Sequence, residues 1–281
     1  MVFMKIAICA DSTCDIPKEL VDKYNITITP ITVIMGDKEF FEGINITSQD
    51  IYDFVEKNNM LPKTAAKSTY EYKKVFEELR KNNNAVIHLA LSSGVSSTIN
   101  NAIAAAKELD NVFVIDTKSL SSGSGLLVLS CVDKIKKKME PEKIVEELKQ
   151  ETEKVQASFI ISKLAYLRKG GRCSTIELLG ANLLGIKITV QLVDGKMRAT
   201  KKYTGKLSNC LSKYLKDIVN ENPPDLNRVF VTSSSKMPGI KEKLVKEVKA
   251  LGFKEVIVAD AGATICCHCG PNTIGVLYMK K

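Results

Sequence analysis

Three short runs rich in hydroxyl and acidic side chains each follow a β-rich segment. They are Asp11-Ser12-Thr13 after Ala10, Ser92-Ser93-Gly94-Val95-Ser96-Ser97-Thr98 after Leu91, and Asp116-Thr117-Lys118-Ser119 after Ile115. Hydroxyls and free backbone N–H groups at a helix start form a receptor for an anionic head group. A single such run is ordinary turn capping. Three on one edge of a parallel sheet point to a ligand site, because such sheets gather their loops at the carboxyl ends of the strands. A fourth stretch, Leu164 to Ser174, sets Arg168, Lys169 and Arg172 around Gly170-Gly171. Its cations suit a carboxylate, a phosphate or a partner's acidic surface. The plainer account of the same residues is a basic helix end stopped by glycine.

The two histidines divide. His88 lies inside an apolar strand and reads as a satisfied core residue, whereas His268 stands at an expected strand end, followed shortly by Gly270-Pro271. The run Cys266-Cys267-His268-Cys269 suggests zinc. Read as part of a strand over Ile265 to Cys269, it turns Cys266 and His268 to one face and Cys267 and Cys269 to the other. No second cysteine pair at ligand spacing completes a tetrahedron, so no metal is expected. Ser93 or Ser96 with His268 and Asp11 has the residue types of a hydrolase triad, but the Gly-x-Ser-x-Gly elbow is absent. Gly205-Lys206 lacks the rest of a phosphate loop, and Gly123-Ser124-Gly125 is a weak dinucleotide signal, so no cofactor is expected.

The elements that must position these residues fall into two patterns. Strands at Lys5–Ala10, Ala85–Leu91 and Val112–Asp116 alternate with helices opened by Asp15-Ile16-Pro17, by Ser48, at Tyr70–Arg80, at Ser97–Leu109 and at about Gly123–Lys138. Ile26–Met35 reads as extended, and Gly36-Asp37 turns it into a hairpin with Lys38–Phe41. That rhythm predicts an α/β unit with a parallel sheet. After the amphipathic helix begun by Pro141, strands dominate at Phe159–Ile161, Ile186–Val193, Met197–Tyr203, Arg228–Thr232, Glu255–Ala259 and Ile265–Cys269. Asp194-Gly195 marks a hairpin, and helices at Lys206–Val219 and Ile240–Leu251 separate the later strands. The expected division is an N-terminal α/β domain over 1–157 and a C-terminal α+β domain over 158–281 with a mixed or antiparallel sheet.

A length of 281 residues is a prior of about two domains. With 44% hydrophobic and 26% charged residues, disorder and coiled coil are excluded as readings. No apolar run approaches the ~20 residues of a membrane span. Met1–Ala10 is interrupted by Lys5 and stopped by Asp11, which favours a strand over an export signal. A soluble, cytoplasmic protein is therefore expected, with its eight cysteines, whose layout does not look like a disulfide framework, as reduced thiols. The net charge of +9 is compatible with nucleic acid, a transient membrane-surface contact, a phosphorylated ligand or an acidic partner. No nucleic-acid reading motif accompanies it, so no nucleic acid is expected.

Taken in order, these segments resemble the DegV family across essentially the whole chain. The matching stretches are Asp11-Ser12-Thr13-Cys14-Asp15-Ile16-Pro17, Lys63-Thr64, Leu91 to Thr98 and Val114-Ile115-Asp116-Thr117-Lys118-Ser119. Tyr166-Leu167-Arg168-Lys169-Gly170-Gly171-Arg172, Gly185-Ile186-Lys187 and His268-Cys269-Gly270-Pro271 follow. The resemblance implies a carrier without catalytic machinery of its own, active in phospholipid metabolism. Such a carrier binds a long-chain fatty acid in an interdomain tunnel and presents the carboxylate to a separate ATP-binding fatty acid kinase subunit. It also implies that Thr64, Ser93, Ser96 and His268 hold the carboxylate, with Arg172 near the mouth. Two departures stand out: Ala65-Ala66-Lys67-Ser68 replaces the family's Ser-x-Pro-Ser, and Ile188 replaces a proline. A hydrolase or phosphate-handling enzyme using the same cleft is the alternative reading.

Overall fold

The computed structural model describes residues 4–173 and 185–281; Ser174, the last residue of the basic stretch, lies outside them. The chain opens with β1 (Ile6–Asp11), α1 (Lys18–Lys23), β2 (Thr27–Thr29), β3 (Thr32–Met35) and β4 (Lys38–Phe41). There follow α2 (Ser48–Asn58), β5 (Lys63–Ala65), α3 (Thr69–Arg80), β6 (Ala85–Ala90) and α4 (Thr98–Ala106). Then come β7 (Val112–Asp116), α5 (Ser122–Lys136) and α6 (Pro141–Glu151). The strands β2-β1-β6-β7 form a parallel sheet in that order, and β4-β3-β5 form a small antiparallel one. Every residue of β6 is buried, as expected of a strand covered on both faces.

The later elements are β8 (Val155–Ile161), α7 (Leu164–Gly170), β9 (Ile186–Val193), β10 (Lys196–Thr204) and α8 (Leu207–Glu221). The chain ends with β11 (Pro224–Ser233), α9 (Ile240–Lys249), β12 (Glu255–Asp260), α10 (Ala263–Cys269) and β13 (Ile274–Lys280). Six strands make one mixed sheet, β10-β9-β8-β13-β11-β12, in which only β11 and β12 run parallel. The fold is therefore α/β, with a parallel sheet early and a mixed sheet late.

Helix α5 joins the two. It is buried over most of its length and packs against β1 and β6 on one side and β8, β11 and β13 on the other. A helix that is apolar on all faces needs such enclosure. Leu126 and Leu129 of α5 share one core with Phe159, Ile188, Phe230 and Leu277.

Four local expectations are corrected. Ile26–Met35 splits at Pro30, with β2 joining the parallel sheet and β3 the small one, because proline cannot donate to a ladder. Asp15 does not cap a helix: it has a left-handed φ of 47°, and α1 starts after Pro17. Thr47, not Ser48, caps α2, through a reciprocal box with Asp50. Residues 265–269 are helical, not extended, so the alternating-face argument for the cysteines fails. The reason is tertiary: carboxylates of Asp15 and Glu42 accept the Gly262 and Thr264 N–H groups at 2.9 and 2.7 Å, capping α10 from far along the chain. Strand β13, central in the mixed sheet, was not expected.

Candidate functional site

The serine loop after β6 is held by its neighbours on both sides. Ser92 Oγ donates to Gly195 O at 2.8 Å, in the hairpin turn between β9 and β10. A Cβ at Gly94 would stand 2.3 Å from that same carbonyl, so only glycine permits the loop to lie this close. From beneath, the buried Asp11 carboxylate accepts from Leu91 N (2.8 Å), Tyr72 Oη (2.6 Å) and Thr29 Oγ1 (2.9 Å). Burial by itself would raise the Asp11 carboxyl, but the His88 imidazole and these donors outweigh it and hold it below its usual range. His88 mirrors this: burial opposes its charge, yet neighbouring Cys9 and Asp11 raise it to about 10. Its Nε2 lies 3.4 Å from Asp11 Oδ1 without a well-aligned hydrogen bond. His88 is thus a core histidine that is ion-paired rather than satisfied by hydrogen bonds. Asp11 is committed to it, which takes Asp11 out of any triad with His268.

A cavity of about 240 Å³ lies beside this loop, and Thr64, Ser96, Arg172 and His268 all line it. Thr64 sits in β5, registered opposite Val33 of β3, and its Oγ1 is 3.2 Å from His268 Nε2. His268 occupies the last turn of α10. Its ring rests on the α-carbon of Gly170, where an added Cβ would stand 2.8 Å from Nδ1. Burial, aided by the Arg172 guanidinium, pushes the imidazole down to about 4, so His268 is neutral at pH 7 and has one N–H to donate. Arg172 follows the left-handed Gly171 that ends α7, and its Nη1 donates to Gly170 O at 2.7 Å. Ser96 Oγ accepts from Thr98 N at 3.2 Å at the start of α4.

Ser93 stands apart. Its Oγ donates to Asp116 Oδ2 at 2.5 Å and its N–H to Oδ1 at 3.2 Å, on the exposed side of the loop and away from the cavity lining. Ala65 and Ala66, where this chain departs from the family pattern, do line the cavity. Lys67 does not. It is buried elsewhere, with Nζ 3.5 Å from Glu71.

The remaining walls are mostly apolar, among them Leu91, Leu120, Phe159, Leu167 and Met197. Leu120, Phe159, Ile265 and Cys269 also border a smaller void of about 30 Å³ that reaches Gly275 and Leu277. Three lining groups, Thr13 Oγ1, Thr264 Oγ1 and His268 Nδ1, are buried with no hydrogen-bond partner among the described residues. Burying such atoms unpaired is costly, and their presence on a cavity wall suits a ligand with a polar end. Thr13 belonged to a cluster visible in the sequence. Leu167 and Met197 fell within stretches noted in the sequence, but nothing local there marked them as cavity walls.

A family profile for an uncharacterised protein of the DegV family matches residues 5–281. The chain belongs to the DegV family. It is 30% identical over 281 residues to a DegV domain-containing protein of Staphylococcus aureus strain MRSA252, covering 99% of each. Among solved structures, a DegV family protein from Thermus thermophilus described by its fatty acid binding superposes with a TM-score of 0.90. That pair is 25% identical, with 99% of this chain and 100% of the other covered. DegV of Bacillus subtilis, described as a fatty acid binding protein, gives a TM-score of 0.86 at 28% identity, again covering 99% and 100%. No helix among the described residues of this DegV-family chain is long and apolar enough to cross a membrane.

Proposed function

We propose that this chain binds a long-chain fatty acid in the cavity and presents its carboxylate to a separate ATP-binding kinase subunit. The first 157 residues contribute Thr64 and Ser96 to the cavity lining, and residues 158–281 contribute Arg172 and His268, so the ligand would lie between two domains. The observation that carries this reading is a largely apolar cavity whose lining also carries the hydroxyls of Thr64 and Ser96, a neutral imidazole and one guanidinium. That combination fits a molecule with one anionic end and a long apolar body. The fatty-acid-binding relatives support the ligand class.

Burying a sixteen-carbon tail at about 0.8 kcal/mol per methylene contributes roughly 12 kcal/mol gross. The tail supplies affinity; the donors in the lining prevent the carboxylate from being stranded without partners. In the partner reaction the carboxylate attacks the γ-phosphorus of ATP, forming acyl phosphate and releasing ADP. The kinase subunit would bring nucleotide and metal, and this chain would orient the attacking oxygen. Neutral His268 can donate to the carboxylate without neutralising it, leaving its nucleophilicity largely intact.

Mass spectrometry of the purified protein, native and after solvent extraction, tests the reading. We expect a stoichiometric acid of roughly 14–18 carbons, a tail long enough for burial to supply the affinity. An empty protein that also refuses added fatty acid would overturn it. Thr64→Val and His268→Ala are expected to reduce acyl retention and phosphorylation by the kinase subunit without unfolding the chain. Unchanged lipid content and turnover would remove these residues from the head-group site.

A further inference from the structure

Along α5, from Leu126 to Lys137 just past its end, lies a second concavity of about 720 Å³, which shares no lining residue with the first. Several cations around this concavity are already committed. Arg228 is paired with Asp133 at 3.1 Å and Glu255 at 2.5 Å, and Lys134 with Glu147 at 2.6 Å and Glu151 at 2.9 Å. The ammonium of Lys136 lies 4.1 Å from the centre of the Tyr24 ring.

Lys137, Lys154, Lys280 and Lys281 also line the concavity, and none makes an ion pair among the described residues. Among the described lining side chains, Asp225 is the one carboxylate that no cation holds; it accepts instead from Asn227 N at 2.9 Å. The dipole at the end of α5 accounts for lysines in its last turn. It does not account for Lys154, from the turn before β8, or for Lys280 at the end of β13. Those come from separate elements and converge on the same space.

We propose that this concavity binds a small polyanion carrying two or more phosphate charges, with Lys137, Lys154 and Lys280 as its principal contacts. Like charges gathered around a hollow focus the local potential, and an ammonium serves a phosphate as a point charge without needing fixed geometry. A hollow of this volume falls within the range of small-molecule sites; a membrane or a duplex would instead call for a broad, open face.

Isothermal titration of the full chain with inorganic pyrophosphate at about 50 mM NaCl tests the proposal under weak screening. We expect measurable binding that weakens about tenfold in Lys154→Gln/Lys280→Gln, and by a similar factor when salt is raised to about 300 mM. Retained fatty acid and melting temperature should be unchanged in that variant. Amide chemical shifts of the wild-type protein should move at Lys154 and Lys280 on adding pyrophosphate, which keeps the test intact if the variant folds poorly. No heat at low salt, equal affinity in the double variant, or shifts confined to other regions overturns the proposal. So does binding only to phosphatidylglycerol vesicles or only to duplex DNA.

Discussion

The ring of His268 packs directly on Gly170, whose missing side chain is what admits it: a Cβ there would stand 2.8 Å from Nδ1. Gly170 closes α7 and Gly171 makes the left-handed turn behind it, so the first glycine clears space for the ring while the second turns the chain. We expect Gly170→Ala to tilt the imidazole away from Thr64 and lower acyl retention about tenfold, on the scale of one lost charge-assisted hydrogen bond. Alanine suits the helical backbone at residue 170, so the melting temperature should fall little. Quantifying bound lipid in the two proteins decides it, and equal occupancy would mean that the contact is incidental.

His268 should remain neutral well into acid, since its enclosure and Arg172 hold it down to about 4. An unfolded imidazole protonates near 6.5. The unfolded chain therefore takes up this proton first. The associated stability is complete above about pH 6.5 and is lost as pH falls through the window toward 4. Imidazole NMR of the ligand-free protein reads the midpoint directly. A midpoint near the ordinary value would show the ring to be solvated and would undercut its role as a neutral donor.

The serine loop offers a steric test of a different kind. Gly94 approaches Gly195 O so closely that a methyl group would meet it at 2.3 Å. Gly94→Ala must push the loop off the β9–β10 turn, breaking the Ser92 Oγ bond to that carbonyl. We expect a stability loss of about 1–3 kcal/mol from overpacking together with lower fatty acid occupancy as Ser96 moves. Denaturant melts and lipid quantification check both, and a variant with wild-type values in each would show the loop to be adaptable.

How much of this was legible in the sequence depended on where each element's partners lie. Segments with local signals were readable: β7 over Val112–Asp116 and β9 over Ile186–Val193 stand where alternation and turn residues put them. Helix α10 was misread because its seven residues carry β-branched and cysteine side chains, while its capping carboxylates come from Asp15 and Glu42. The four residues Thr64, Ser96, Arg172 and His268 that share the cavity were all singled out from the sequence, chiefly through the family resemblance. Ser93 and Ser96 were indistinguishable there. Only the tertiary position of Asp116 decides that Ser93 turns outward.

The pair of carboxylates that caps α10 gives the final test. Burial and the nearby Glu42 carboxylate raise Asp15 to about 8, despite the hydrogen bonds it accepts from Ser121 and Gly262. The folded state thus holds a proton on Asp15 that the unfolded chain releases near 4. Its stabilising effect is present in full below that value and is lost as pH rises through about 8. Asp15→Asn retains an oxygen to accept the Gly262 N–H but has no proton to lose. We therefore expect the melting temperature of the wild-type protein to decline between about pH 4 and pH 8 and to level off above, and that of the variant to stay flatter. Because α10 carries His268, retained fatty acid should follow the same profile. Parallel slopes in the two proteins would place the loss elsewhere, and a wild-type curve flat across this range would mean that the Asp15 carboxyl is ionised throughout.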